Sequence, residues 1–193
     1  MIALVGAEVS LAPQVLAGKY VNELDETWEM VLAQAERHAR AAGPGEVADY
    51  VALRVANDLA RQTGVDWLFN AFNGLAGEAN RVGAGVTVER AETNRFAVGA
   101  ATMAGPLLTF RYGVRSLTIA AGWPRNPADG FVRGGLACAR IQHFGMPKAN
   151  EELLLMRDPR QTPQWFAISE ENLRQAFPTN RARWHFGKFL GVN

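Results

Sequence analysis

At Arg81 the hydrophobic pattern of this chain changes period, and that change limits the possible folds more than any other feature. Before it, apolar residues recur at three- and four-residue steps, the spacing of one helix face. After it, short runs of β-branched and small residues alternate with turn signals, the spacing of strands. A chain of 193 residues built this way predicts a single α+β domain. Its expected parts are a layer of about three helices over 1–81, a curved antiparallel sheet of five to seven strands over 82–168, and a C-terminal helix with a docked tail over 169–193.

The helical part divides at its glycines. Leu24, Trp28, Val31, Leu32, Ala35 and Ala39 make an amphipathic stripe ending at Gly43-Pro44-Gly45. A second stripe, Val47, Val51, Val55 and Leu59, predicts a helix from about Glu46 to Thr63 with Gly64 as its left-handed stop. Asp66 can then cap a third helix carrying Trp67, Leu68, Phe69, Phe72 and Leu75.

Expected strands are Val86–Ala91, Phe96–Met103, Leu107–Tyr112, Val114–Ala121, Phe131–His143, Leu153–Arg157 and Trp165–Ile168. Turns at Thr93-Asn94, Gly105-Pro106 and Tyr112-Gly113 suit a meander of hairpins. Gly134-Gly135 predicts a bulge in the longest run. Ser169-Glu170-Glu171 reads as a helix start closed by Pro178, and Trp184, Phe186, Phe189 and Leu190 make the tail too apolar to be solvated.

Charge divides at the same place as period. Five Lys and Arg stand against eleven Asp and Glu through residue 80, a net of −6, and fifteen stand against eight after it, a net of +7. Such asymmetry points to an anionic partner for the second part, or to attraction between the two parts. A sequence pI near 8.0 is well below the strong basic footprint of nucleic-acid binders, which argues against that class. A lone cysteine, Cys138, excludes an internal disulfide, and its small, apolar surroundings suit a buried, inert thiol. No apolar run reaches 18 residues, and Glu8 interrupts the first one, so the expectation is a cytoplasmic chain with no membrane span. His38, His143 and His185 have no metal-ligand spacing, and phosphate-loop, dinucleotide and nucleophile-elbow motifs are lacking, so neither a metal nor a cofactor is expected.

The loop Gly122–Gly130 is the most suggestive segment. Two prolines stiffen a connection longer than a hairpin turn needs. It offers Trp123 as a stacking surface, Arg125 as an anion donor and Asp129 as an acceptor or base. Arg133, Arg140 and His143 on the following run complete the candidate site if the glycine pair brings them to one face. His185, beside Arg181 and Arg183, is a lesser anion candidate. These residues predict a non-catalytic binding or regulatory domain for a small anionic ligand or a protein partner. The alternatives are an enzyme using Asp129 and His143 as acid and base, and a self-associating protein, such as a homodimer, joined through its aromatic third helix or tail.

Overall fold

A computed structural model of the protein describes residues 44–132, 134–158, 162–169 and 173–192. The first expected helix, Arg133 and the Ser169–Glu171 helix start all involve residues outside this set. The described chain is α+β: helix α1 (Pro44–Arg81), seven strands, and helix α2 (Thr179–Leu190). The strands are β1 (Thr87–Val98), β2 (Ala101–Tyr112), β3 (Arg115–Gly122), β4 (Ala137–His143), β5 (Glu151–Arg157), β6 (Pro163–Ile168) and β7 (Arg174–Ala176). They pair in sequence order, each antiparallel to the next. No described helix is long and apolar enough to cross a membrane.

The second and third expected helices are one, because Gly64 is used for close approach and not as a stop. A Cβ at Gly64 would lie 2.6 Å from Leu155 Cδ1, and its carbonyl accepts from Trp165 Nε1 at 2.7 Å. A glycine inside a helix costs about 1 kcal/mol relative to alanine; here it lets α1 lie directly on β5 and β6. Burial on the sheet begins at Ala60, so the stripe of Val51, Val55 and Leu59 is exposed. Beyond it Leu68, Phe69, Phe72 and Leu75 pack on Phe110, Ile119, Ile141 and Leu155. At the helix end the Asn80 side chain brackets Val86, donating to its carbonyl at 2.8 Å and accepting its N–H at 2.7 Å. That clamp aims the chain into β1.

The expected strand limits shift in the first hairpin. Its turn falls at Gly99, in the left-handed region at φ 57°, and the predicted turns at Thr93-Asn94 and Gly105-Pro106 lie inside β1 and β2. Register slips by one residue between Ala91 and Asn94, so Glu92 and Thr93 bulge opposite Pro106. Proline has no N–H to give a ladder, and a bulge is where a central strand tolerates it. Gly105 and Gly122 meet across β2 and β3 so closely that a Cβ on Gly122 would lie 2.6 Å from the Ala104 carbonyl oxygen.

This crease turns the hairpin over the second sheet face. Leu108 and Phe110 of β2 are buried on the helix side, whereas Ala101 and Met103 join Cys138 and Leu154 in a second, smaller core. Arg140 of β4 reaches up to the Ala97 carbonyl of β1 at 2.7 Å, which marks how far the hairpin curls.

The C-terminal helix also moves. Arg174–Ala176 is an edge strand on β6 in place of the end of a helix, and the expected tail is itself α2. Proline lacks the N–H that a helix interior needs but suits a helix start, so Pro178 opens α2 instead of closing a helix before it. Gly191, at φ 79°, stops α2 by donating to the Gly187 and Lys188 carbonyls. Ala182, Phe186 and Phe189 are buried, with Phe186 edge-on to Phe110 at 5.8 Å.

Candidate functional site

The loop that leaves β3 is built around Asp129. Asn126 and Asp129 form a reciprocal cap over the single 3-10 turn Pro127–Asp129. The Asp129 carboxylate accepts from the backbone N–H of Arg125 at 3.2 Å and of Asn126 at 3.3 Å, and it is ion-paired with Arg95. Asp129 is 6% exposed. Its part is therefore to hold the loop and to fix Arg95. Trp123 exchanges backbone hydrogen bonds with Ala104 at 3.1 and 3.3 Å, which sets its indole beside the crease.

Two guanidinium groups converge on that indole. Arg125 lies 3.8 Å from the ring centroid, with its Nε donating to the Ala104 carbonyl at 3.3 Å. Arg61 of α1 lies 5.7 Å from the same ring, is held by the Leu136 carbonyl at 2.9 Å and pairs with Asp58 at 2.7 Å. Burial against the indole lowers the Arg125 pKa, and the charge of Arg61 lowers it further, partly offset by Asp58. Arg125 itself makes no ion pair among the described residues.

These groups face a cavity of about 750 Å³ between α1, the bulged part of β1 and the Trp123 loop. Its charged lining is Arg54, Arg61, Arg95 and Arg125 against Asp58 and Glu92, and Thr93 and Asn94 add polar groups at the bulge. The size falls in the range of small-molecule sites.

The six residues expected from sequence divide among different places. Trp123 and Arg125 line the cavity, and Asp129 stands behind it. Arg133 lies outside the described residues. Arg140 is on the other side of the crease, paired with Glu152 at 2.6 Å and with the Ala97 carbonyl. His143 closes the far end of β4, where it pairs with Leu117; Gly122 pairs with Cys138 at the loop end. Five residues at about 3.3 Å each put those ends roughly 16 Å apart, and Asp129 and His143 share no hydrogen-bond partner. The expected bulge at Gly134-Gly135 precedes β4, so it does not alter the facing of Arg140.

Sequence reasoning missed Arg61, Arg54 and Arg95. The first two, with Asp58, are spaced i, i+4 and i+7, which places all three on one helix face, and that was the available signal. Arg95 carries none, because the bulge that aims it is visible only in the register. His185 is fully buried in contact with His143 and shares the Glu151 carboxylate with Arg181, while Arg183 pairs with Glu78, so the anion beside His185 and Arg181 is one of the chain's own side chains. Cys138 is buried in the small core, where burial raises its pKa to about 12, and it lies on the face opposite His143. Comparison with family models, curated proteins and solved structures finds no match.

Proposed function

We propose that the protein is a binding domain for a small anionic ligand, held in the cavity between α1, the β1 bulge and the Trp123 loop. The observation that carries this reading is the convergence of Arg61 and Arg125 on Trp123. Two like charges beside one indole repel, and among the described residues Asp58 offsets them in part, while Glu92 of the same lining is paired with Arg90. A carboxylate or phosphate placed between them relieves that repulsion and accepts charge-assisted hydrogen bonds. Thr93 and Asn94 supply neutral contacts for the rest of such a ligand.

The test is calorimetric titration of the full chain with inorganic phosphate, citrate and a nucleoside monophosphate. At least one is expected to bind, and Arg125→Ala is expected to weaken it by about tenfold or more, the weight of one hydrogen bond to a charged group. Heat-silent titrations with all three probes, or an Arg125→Ala variant with unchanged affinity, would sink the assignment.

A further inference from the structure

The junction of α2 with the sheet holds a chain of four ionisable side chains that takes no part in the Trp123 cavity. Arg181 donates to Glu151 Oε1 at 2.8 Å. Glu151 Oε2 lies 2.8 Å from His185 Nε2. His185 Nδ1 lies 2.9 Å from His143 Nε2. The imidazoles stack with centroids 5.2 Å apart and planes at 23°. His185 is completely buried and His143 is 3% exposed.

The tautomers follow from the carboxylate end. Ionised Glu151 only accepts, so His185 carries its hydrogen on Nε2. Its Nδ1 is then a lone pair and accepts from His143 Nε2–H. That leaves His143 Nδ1 as a lone pair, buried with no partner. Both rings are neutral in this arrangement, and the charges of Arg181 and Glu151 cancel.

One added proton has a place in the chain. It makes His185 an imidazolium between Glu151 and a His143 whose own hydrogen moves to Nδ1, which costs a buried donor without a partner but leaves no charge unpaired. A second proton has none, since it creates two stacked, buried cations beside a single carboxylate. The surroundings offer no other countercharge among the described residues. On α2, Arg181 is itself a cation and lies 4.7 Å over Trp184, which also carries Lys188 at 5.8 Å. On β5, Glu152 is occupied by Arg140. On β3, Leu117 stands opposite His143, while Arg115 reaches the Phe189 carbonyl. From α1, Glu78 pairs with Arg183. Asn150 only accepts the His143 backbone N–H, and Phe177 sits 6.0 Å from the His185 ring.

We propose that the His143–His185 pair is an acid-operated latch, in which uptake of a second proton undocks α2 from the sheet before the sheet itself unfolds. Undocking uncovers Phe186 and Phe189 together with the sheet surface under them. The sheet keeps its seven-strand ladder and the cover of α1, so it outlasts the release. The lowered proton affinity of His143, pushed to about 4 by burial and by the neighbouring His185, agrees with a site that resists the second proton until the solution is clearly acid.

The chain has three histidines, which makes a titration of the full-length, ¹⁵N-labelled protein readable. At neutral pH both buried rings are expected as Nε2–H tautomers. On acidification they should take up protons in two steps, and amide protection across Thr179–Leu190 should vanish with the second step while β3–β5 stay protected. Simultaneous loss of protection in α2 and the strands overturns the proposal, as does an α2 that remains protected through the second step. His143→Phe keeps a ring and removes the titrating nitrogens, so release should move at least about one pH unit lower; release at the wild-type pH overturns the latch. Glu151→Gln removes the one countercharge and should move release to higher pH; an unmoved midpoint there also overturns it. The wild-type titration decides the matter if either variant fails to fold.

Discussion

The β3–β4 ladder ends in two opposite ways. At the Gly122 end the charged groups are numerous, open to solvent and unevenly matched, with four arginines around a cavity that holds two carboxylates. At the His143 end the ionisable groups are few and, apart from the exposed Arg181, largely buried, and among the described residues each has its neighbour as partner except one buried imidazole nitrogen. Open, mismatched charge has a use for a ligand that brings the missing sign, because water screens the mismatch until it arrives. Sealed charge is tolerated only when its protonation state suits the network, so that end responds to pH.

The sharpest way to break the Gly122 end is to add a side chain at the crease. Gly105→Val puts a Cβ into the Ala121 carbonyl and the Gly122 Cα. Neither backbone can retreat without opening the ladder, so a loss of at least about 3 kcal/mol is expected in urea denaturation, with the cavity lost as well. At the other end the expected response is to acid. His143 in the folded chain has a pKa of about 4 against an ordinary 6.5, so the unfolded chain takes the proton first. Its contribution is complete above about pH 6.5 and disappears as pH falls to about 4, a change on the order of 3 kcal/mol. The Glu151 carboxyl, although burial opposes this, is held below its ordinary value by hydrogen bonds from His185 and Arg181. Its contribution runs in the same direction and is lost at still lower pH. Denaturation midpoints that stay flat from neutral pH down to about 4 would contradict the first, and midpoints that stay flat below that would contradict the second.

Asp129→Asn should cost less, about 1–2 kcal/mol, because Arg95 is mostly exposed at 57% and water replaces part of the lost pair. Its larger consequence is looser placement of Arg125, visible as weaker anion binding at nearly unchanged stability. Arg140→Ala is the mildest change. Its pair with Glu152 is partly exposed, so a loss of only about 0.5–1 kcal/mol is expected, and hydrogen exchange should show it first in the β1–β2 turn that Arg140 holds.

The comparison also explains what could be read in advance. The α+β division at Arg81 was legible because period survives folding, and Trp123 and Arg125 stood out because Pro124 and Pro127 stiffen their loop. Glycines were harder. Gly64 looked like a stop but serves as a notch for Leu155, and Gly105 looked like a turn but allows a crossing. A glycine signals only that a side chain would be in the way, and what it would strike lies elsewhere in the chain. Arg61 and Arg95 reach the cavity from α1 and β1, and His185 reaches His143 across 42 residues. Local patterns do not carry such meetings.

The crease also partitions the molecule for sequence change. Phe96, Val98, Met103, Cys138, Leu154 and Met156 form a compartment walled off from the helix-covered side, so compensating exchanges can accumulate within it while α1 and α2 keep their own packing. Substitutions on opposite sides should combine nearly additively. The compartments share the backbones of β2, β4 and β5, whose side chains face the two sides, and at the crease that shared backbone is Gly105 and Gly122, with no side chain to carry a change on one side to the other.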